Sequence, residues 1–140
     1  MKVAGSVVVV TGGASGLGRA SVEKLVAAGA KVAIFDFNEA AGEALVAALG
    51  DSVIFKKVNV ADEDSVQAAI AETAAHFGAI HVCINYAGIG SAMKTLGKNG
   101  VFPLAEFNRV LQVNLVGTFN VLRYAAEQMA KNEIVDGERG

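Results

Sequence analysis

A β-branched run, Ser6-Val7-Val8-Val9-Val10, gives way to Thr11-Gly12-Gly13-Ala14-Ser15-Gly16-Leu17-Gly18, and a helical pattern follows from Arg19 to about Ala28. A strand without polar alternation has to be buried on both faces, as in a parallel sheet covered by helices. The glycines let the chain turn tightly and pass close to a neighbour or a ligand. The N–H groups of the helix's first turn have no partners within the helix, and its dipole adds roughly half a positive charge there. Strand, glycine turn and helix start together form a cradle for a phosphate or pyrophosphate. A tight strand-to-helix turn without a ligand usually needs fewer glycines than Gly12, Gly16 and Gly18 supply.

Two common phosphate motifs do not fit. G-x-G-x-x-G, started at Gly16, meets Ser21 where its last glycine belongs. The P-loop, started at Gly13 and Gly18, meets Arg19 and Ala20 in place of a lysine and a magnesium-binding hydroxyl. The pattern that fits is T-G-x-x-x-G-x-G.

Asp36 closes a second apolar run, Lys31-Val32-Ala33-Ile34-Phe35, and lies 24 residues after Gly12. An acid at the tip of the second strand is placed to accept the ribose hydroxyls of an adenosine. A 2′-phosphate there would meet a carboxylate, and neither Ser15 nor Phe37 brings a compensating cation. NAD is therefore expected rather than NADP. Asp36 could also cap the next helix, but Asn38 is available for that.

The apolar fraction, 53%, is high for a soluble chain, yet no apolar run approaches the ~18 residues of a spanning helix. It reads as buried sheet, with no membrane partner. The net charge of −2 and the lack of a basic cluster argue against nucleic acid. The first strand begins almost at Met1, which leaves no room for a leader peptide, and the one cysteine, Cys83, lies in an apolar run. Both point to a reducing, cytoplasmic setting. Two histidines and one cysteine make no metal site.

Further elements follow in order. Asn38 caps a helix with Ala41, Leu45, Ala48 and Leu49 on one face, stopped by Gly50; a strand runs from Ser52 to Val58. Asp62 caps a helix carrying Val66, Ala69, Ile70, Thr73 and Phe77, ended by Gly78; a strand runs from Ile80 to Asn85. A glycine-rich loop fills Ala87 to Phe102, Pro103 opens one long helix to about Lys131, and the polar tail from Asn132 shows no element. Right-handed crossovers predict an α/β, Rossmann-type doubly wound parallel sheet of order 3-2-1-4, with helices on both faces. The ligand crevice then lies at the carboxyl ends of strands one and four, where the order reverses.

Thr11-Gly12-x-x-x-Gly16-x-Gly18, Asp36, Asn85-Tyr86-Ala87-Gly88 and Asn114, within Val113-Asn114-Leu115-Val116-Gly117-Thr118-Phe119, stand in the order of the short-chain dehydrogenase/reductase family. The chain resembles that family over most of its length. Thr11 to Ala20, Ala87 to Thr95 and Phe107 to Arg123 are similar to its branch of 3-hydroxyacyl-CoA and hydroxysteroid dehydrogenases. The resemblance implies that Gly12, Ser15, Gly16, Leu17 and Gly18 line the pyrophosphate of NAD and that Asp36 holds the adenosine ribose. It places Asn59 and Val60 beside adenine, with Asn59 standing where the family usually has Asp. It places Asn85, Tyr86, Ala87 and Gly88 under the nicotinamide ribose, with Tyr86 replacing a commoner Asn or Cys. Asn114 would hold a water that links the catalytic lysine to solvent. Its amide also reads physically: with Phe107, Leu111 and Thr118 it falls on one helical face, where an unsatisfied polar group is costly.

The family's chemistry uses Tyr-x-x-x-Lys and an upstream serine. Here Tyr86 is followed four places on by Gly90, and Tyr124 by Gln128. The resemblance thus implies that residues 1–140 are the NAD-binding portion of a longer oxidoreductase acting on an acyl-CoA or steroid-like secondary alcohol. Strand four would then be a sheet edge, and the long helix would lack packing on one side. A homotetramer is implied, with Val110, Val113, Val121 and Leu122 on the helix flanks compatible with an interface and equally with burial inside one subunit. The competing reading is a non-catalytic NAD-binding or oligomerisation module. A methyltransferase on a similar sheet would not explain the glycine cradle, Asn85-x-Ala87-Gly88 and Asn114 together. Apolar Ile89, Ala92, Met93, Leu96, Val101 and Phe102 are either substrate contacts or packing.

Overall fold

The computed structural model describes residues 1–140. Strand β1 spans Val7–Thr11, helix α1 Gly16–Ala27, β2 Lys31–Asp36 and α2 Glu39–Leu49. Strand β3 spans Val53–Lys57, α3 Glu63–Phe77 and β4 Val82–Asn85. The four strands are parallel in the order β3-β2-β1-β4. The register sets Thr11 opposite Phe35 on one side and opposite Asn85 on the other. The tips of all four strands therefore meet along one edge.

Alternation along β1 divides the core. Val9 joins Ala33, Phe35, Ile70, Ile80 and Val121 beneath α3 and the C-terminal helix. Val8 and Val10 join Val22, Val32, Ile34 and Leu45 beneath α1 and α2. Val8, Val9, Val32, Ala33 and Phe35 are fully excluded from solvent, each large side chain contributing on the order of 1.5–3 kcal/mol through burial. Helix ends follow local chemistry. Asn38 Oδ1 accepts from Ala41 N at 3.1 Å, Asp62 Oδ1 accepts from Ser65 N at 2.9 Å, and Gly78 closes α3 in the left-handed region at φ 87°.

Several local expectations need correction. Helix α1 starts at Gly16, about a turn before Arg19. The outer strands are shorter than expected, because Ser52, Val58, Ile80 and His81 flank the ladders instead of extending them. The loop after β4 holds a two-residue hairpin, β5 Leu96–Gly97 and β6 Gly100–Val101, too short to leave a pattern. The long helix is not uniform: α4 spans Leu104–Leu111, a π-helical segment Gln112–Gly117 follows, and α5 spans Thr118–Met129. Pro103 immediately precedes α4, its carbonyl accepting from Glu106 N and Phe107 N. The tail makes one bridge, Val135 to Glu138, and Asn132 Nδ2 ties it to the Ile80 carbonyl at 2.7 Å. No helix is long and apolar enough to cross a membrane.

The edge position of β4 agrees with expectation, and so does the open side of the C-terminal helix. Phe107, Leu111, Leu115 and Phe119 are each at least 40% exposed.

Candidate cofactor site

The cleft along the strand tips starts from Thr11, itself 1% exposed. Its hydroxyl accepts from Ala87 N at 3.1 Å, and its carbonyl accepts from Tyr86 N at 3.1 Å. These bonds lock the β4 tip to the β1 tip. Gly12 then takes φ 63°, and a Cβ there would stand 2.9 Å from Ala87 N. A Cβ on Gly18 would fall inside van der Waals distance of the Gly12 carbonyl oxygen, so the start of α1 packs on the turn backbone to backbone. Gly16, at φ 51°, faces open space. The first turn of α1 carries no acidic residue, and Ser15 at the N-cap makes no capping bond with its side chain. Its N–H groups stay available to an anion.

Asp36 stands at the β2 tip with a fixed orientation. Its Oδ2 accepts from Ala14 N at 3.0 Å and its Oδ1 from Asn38 N at 2.9 Å. One carboxylate thus braces the glycine turn and keeps further acceptor capacity toward the cleft. The nearby cation, Lys57, is paired with Glu39 at 3.0 Å. Beyond β3, Asn59 Oδ1 accepts from Ala61 N at 3.1 Å, and Asn59 N donates to Ser65 Oγ at 3.1 Å.

One cleft of about 800 Å³ joins these tips. Gly12, Ser15, Gly16, Leu17, Gly18, Asp36, Asn59, Val60, Tyr86, Ala87 and Gly88 all line it. Asn85 does not: strand alternation turns its side chain behind the cleft, where Oδ1 meets the Thr11 hydroxyl at 3.5 Å and Nδ2 meets Cys83 Sγ at 3.4 Å. Tyr86 lines the cleft, but its hydroxyl accepts from Ser21 Oγ at 3.1 Å and so leans on α1.

Asn114 departs from expectation in its surroundings. It is exposed, on the same open side of the helix as Phe107 and Leu111, and not set in a buried apolar stripe. Its amide is doubly satisfied by one residue. Ile89 N donates to Oδ1 at 2.8 Å, and Nδ2 donates to the Ile89 carbonyl at 2.9 Å. Asn114 thereby holds the loop after β4 against the π-helical segment, while its own carbonyl accepts from the Thr118 hydroxyl at 2.7 Å.

Five lining residues escaped the sequence reading as cofactor neighbours: Phe37, Val58, Ile89, Arg109 and Val113. Phe37 had a usable signal, a large aromatic directly after the strand-tip acid. Arg109 and Val113 had none, since only the placement of the C-terminal helix brings them over the cleft. Arg109 is held by Glu106 through two bonds, 2.6 and 2.9 Å, and this pairing raises its pKa. Met93 and Phe102 line a separate apolar hollow of about 570 Å³ with Leu104, Phe107 and Val110.

The remaining titrating groups carry structure. Hydrogen bonding to Glu63 raises the pKa of the Tyr124 phenol, opposite to what a proton-transferring tyrosine needs. Burial pushes the Cys83 thiol up to about 11, although the Asn85 contact works against the shift.

A parallel sheet whose order reverses beside a glycine turn, with an acid at the next strand tip, defines a doubly wound nucleotide-binding protein. The chain belongs to the short chain dehydrogenase family, whose profile matches residues 6–137. It is 45% identical over 141 residues to 3-hydroxyacyl-CoA dehydrogenase type-2 of Homo sapiens, an alignment covering 99% of this chain and 54% of that protein. It is 41% identical over 122 residues to 2,5-dichloro-2,5-cyclohexadiene-1,4-diol dehydrogenase of Sphingobium indicum, covering 87% of this chain and 48% of that one. Among solved structures it resembles 3-ketoacyl-(acyl-carrier-protein) reductase from Brucella melitensis complexed with NADH. That match has a TM-score of 0.85 at 29% identity and covers 94% of this chain and 53% of the other. The chain spans about half the length of the relatives it matches.

Proposed function

We propose that residues 1–140 are the NAD-binding portion of an NAD-dependent oxidoreductase that interconverts a secondary alcohol and a ketone, with 3-hydroxyacyl-CoA as the substrate class. The observation that carries the cofactor reading is the shared cleft of Asp36 and the glycine turn, with Ala14 N bonded to the Asp36 carboxylate. The relatives named 3-hydroxyacyl-CoA dehydrogenase type-2 support the substrate class. NAD, when bound, supplies the hydride acceptor.

In this reading the first turn of α1 takes the pyrophosphate, and Asp36 accepts from the adenosine ribose. Asn59 and Val60 border the base, and Ala87 and Gly88 pass beside the nicotinamide ribose. Asn85 acts from behind, bracing Thr11, and Asn114 keeps the loop carrying Ile89 closed on the cleft. Neither tyrosine of these residues serves as the proton donor. The Tyr86 hydroxyl is engaged by Ser21 and that of Tyr124 by Glu63. This favours, as a second reading, a module that binds NAD without turning it over. The exposed apolar residues of α4 and α5 support association into a homo-oligomer. Incubating NAD and a 3-hydroxyacyl-CoA with the protein purified at its full native length separates the two readings. Growth of reduced-nicotinamide absorbance supports the enzyme, whereas NAD binding without it supports the module.

A further inference from the structure

The π-helical segment and the first turn of α5 touch both walls of the cleft. At one end Asn114 grips the main chain of Ile89. At the other, Gly117 lies against Val60 so closely that a Cβ there would stand 2.6 Å from Val60 Cγ2. One turn on, Asn120 is 5% exposed, and its amide is used at both ends. Nδ2 donates to the Val60 carbonyl at 3.0 Å and to the Asp62 carbonyl at 3.2 Å. Oδ1 accepts from Arg123 Nη2 at 2.9 Å and from Arg123 Nε at 3.3 Å. Arg123 in turn pairs with Glu63 at 2.7 Å, and Tyr124 donates to the same carboxylate oxygen at 2.8 Å.

Residues 58–62 connect β3 to α3, and Val58, Asn59 and Val60 among them form the wall of the cleft beyond Asp36. Asn59 N and Asp62 fix this segment to Ser65 at the start of α3. Nothing from its own strand holds the Val60 carbonyl; Asn120 does, from a helix some sixty residues on. A buried amide with every bond satisfied makes a stiff link between elements, because losing one bond leaves another group stranded.

We propose that Asn120 is a positioning residue for the dinucleotide: through the carbonyls of Val60 and Asp62 it sets the place of the wall against which the adenosine half of the ligand packs. It touches no ligand itself. The inference rests on the cofactor reading above and adds a residue that lies outside the cleft lining.

The test measures the Kd of NAD and of adenosine monophosphate for the purified wild-type protein and for Asn120→Ala and Gly117→Ala, each with its melting temperature. A moved wall weakens both ligands by the same factor, about fivefold to tenfold, since both share the adenosine half. Gly117→Ala displaces Val60 sterically and leaves the Asn120 side chain in place, so it reports whether the position of the wall sets affinity if Asn120→Ala does not fold. Folded variants with wild-type affinities, whatever their melting temperatures, overturn the proposal, and so does a loss confined to NAD. Wild-type protein that binds neither ligand overturns the cofactor reading and this inference with it.

Discussion

One wall of the cleft, made by Gly12, Ser15–Gly18, Asp36 and Val58–Val60, stands on the central strands β1 and β2 and on the outer strand β3. Val8, Val9, Val32 and Ala33 in these strands are wholly buried. The opposite wall, made by Tyr86–Ile89, Arg109 and Val113, stands on the edge strand β4, whose residues are only half-buried, and on a helix with Leu104, Phe107 and Leu111 exposed. The first wall is shaped by close packing on β1 and β2, with the Asn120 bond holding its far end at Val60. The second is held by a few directed bonds, chiefly Thr11 to Ala87 and Asn114 to Ile89. Binding energy is used best where the receptor is already ordered, so on the proposed cofactor reading the adenosine half draws most of its affinity from the first wall. The second wall, open and loop-borne, suits the part of a site that differs between substrates.

The largest effect that would break this comparison lies in the packed wall. Phe35→Ala removes the largest fully buried side chain behind Asp36 and should cost about 3–5 kcal/mol of stability in denaturant unfolding. Next, Asp36→Ala should weaken NAD by about tenfold to a hundredfold in calorimetry, because a charged acceptor is lost and Ala14 N is left without its partner. In the second wall, Asn114→Ala removes two bonds to Ile89 and should cost about 1–2 kcal/mol, read as faster hydrogen exchange at the Ile89 amide. A loss at Asn114 as large as that at Phe35 would mean that both walls are equally packed.

At neutral pH the smallest effect is that of Cys83, which packs against the core from the edge strand. Burial raises its folded pKa from 9.0 to about 11. A raised pKa contributes stability that is complete below pH 9.0 and is lost as pH rises through about 11, because the unfolded thiol ionises first. Unfolding midpoints measured across that interval should fall less steeply for Cys83→Ala than for the wild type.

The same contrast explains what the sequence disclosed. Gly12, Gly16, Gly18 and Asp36 were legible because their roles depend on a turn and a strand end, both local. The sheet order followed from apolar runs and helix caps such as Asn38 and Asp62. Asn85 was drawn toward the ligand by its place in a motif, although pairing with Thr11 sends its side chain the other way. The π-helical segment stayed hidden, because over the short span from Gln112 to Gly117 an apolar pattern fits either helical period. Arg109, Val113 and the Asn120 link depend on where a distant helix docks, which no local pattern encodes.

The cleft is proposed to bind NAD through the Asp36 carboxylate. Titrating the purified protein with NAD and with NADP in a calorimeter tests it most directly. NAD should bind, and NADP should bind at least about tenfold more weakly, since its 2′-phosphate meets a like charge with Lys57 already paired to Glu39. Equal affinity for the two, or no binding of either, would contradict it.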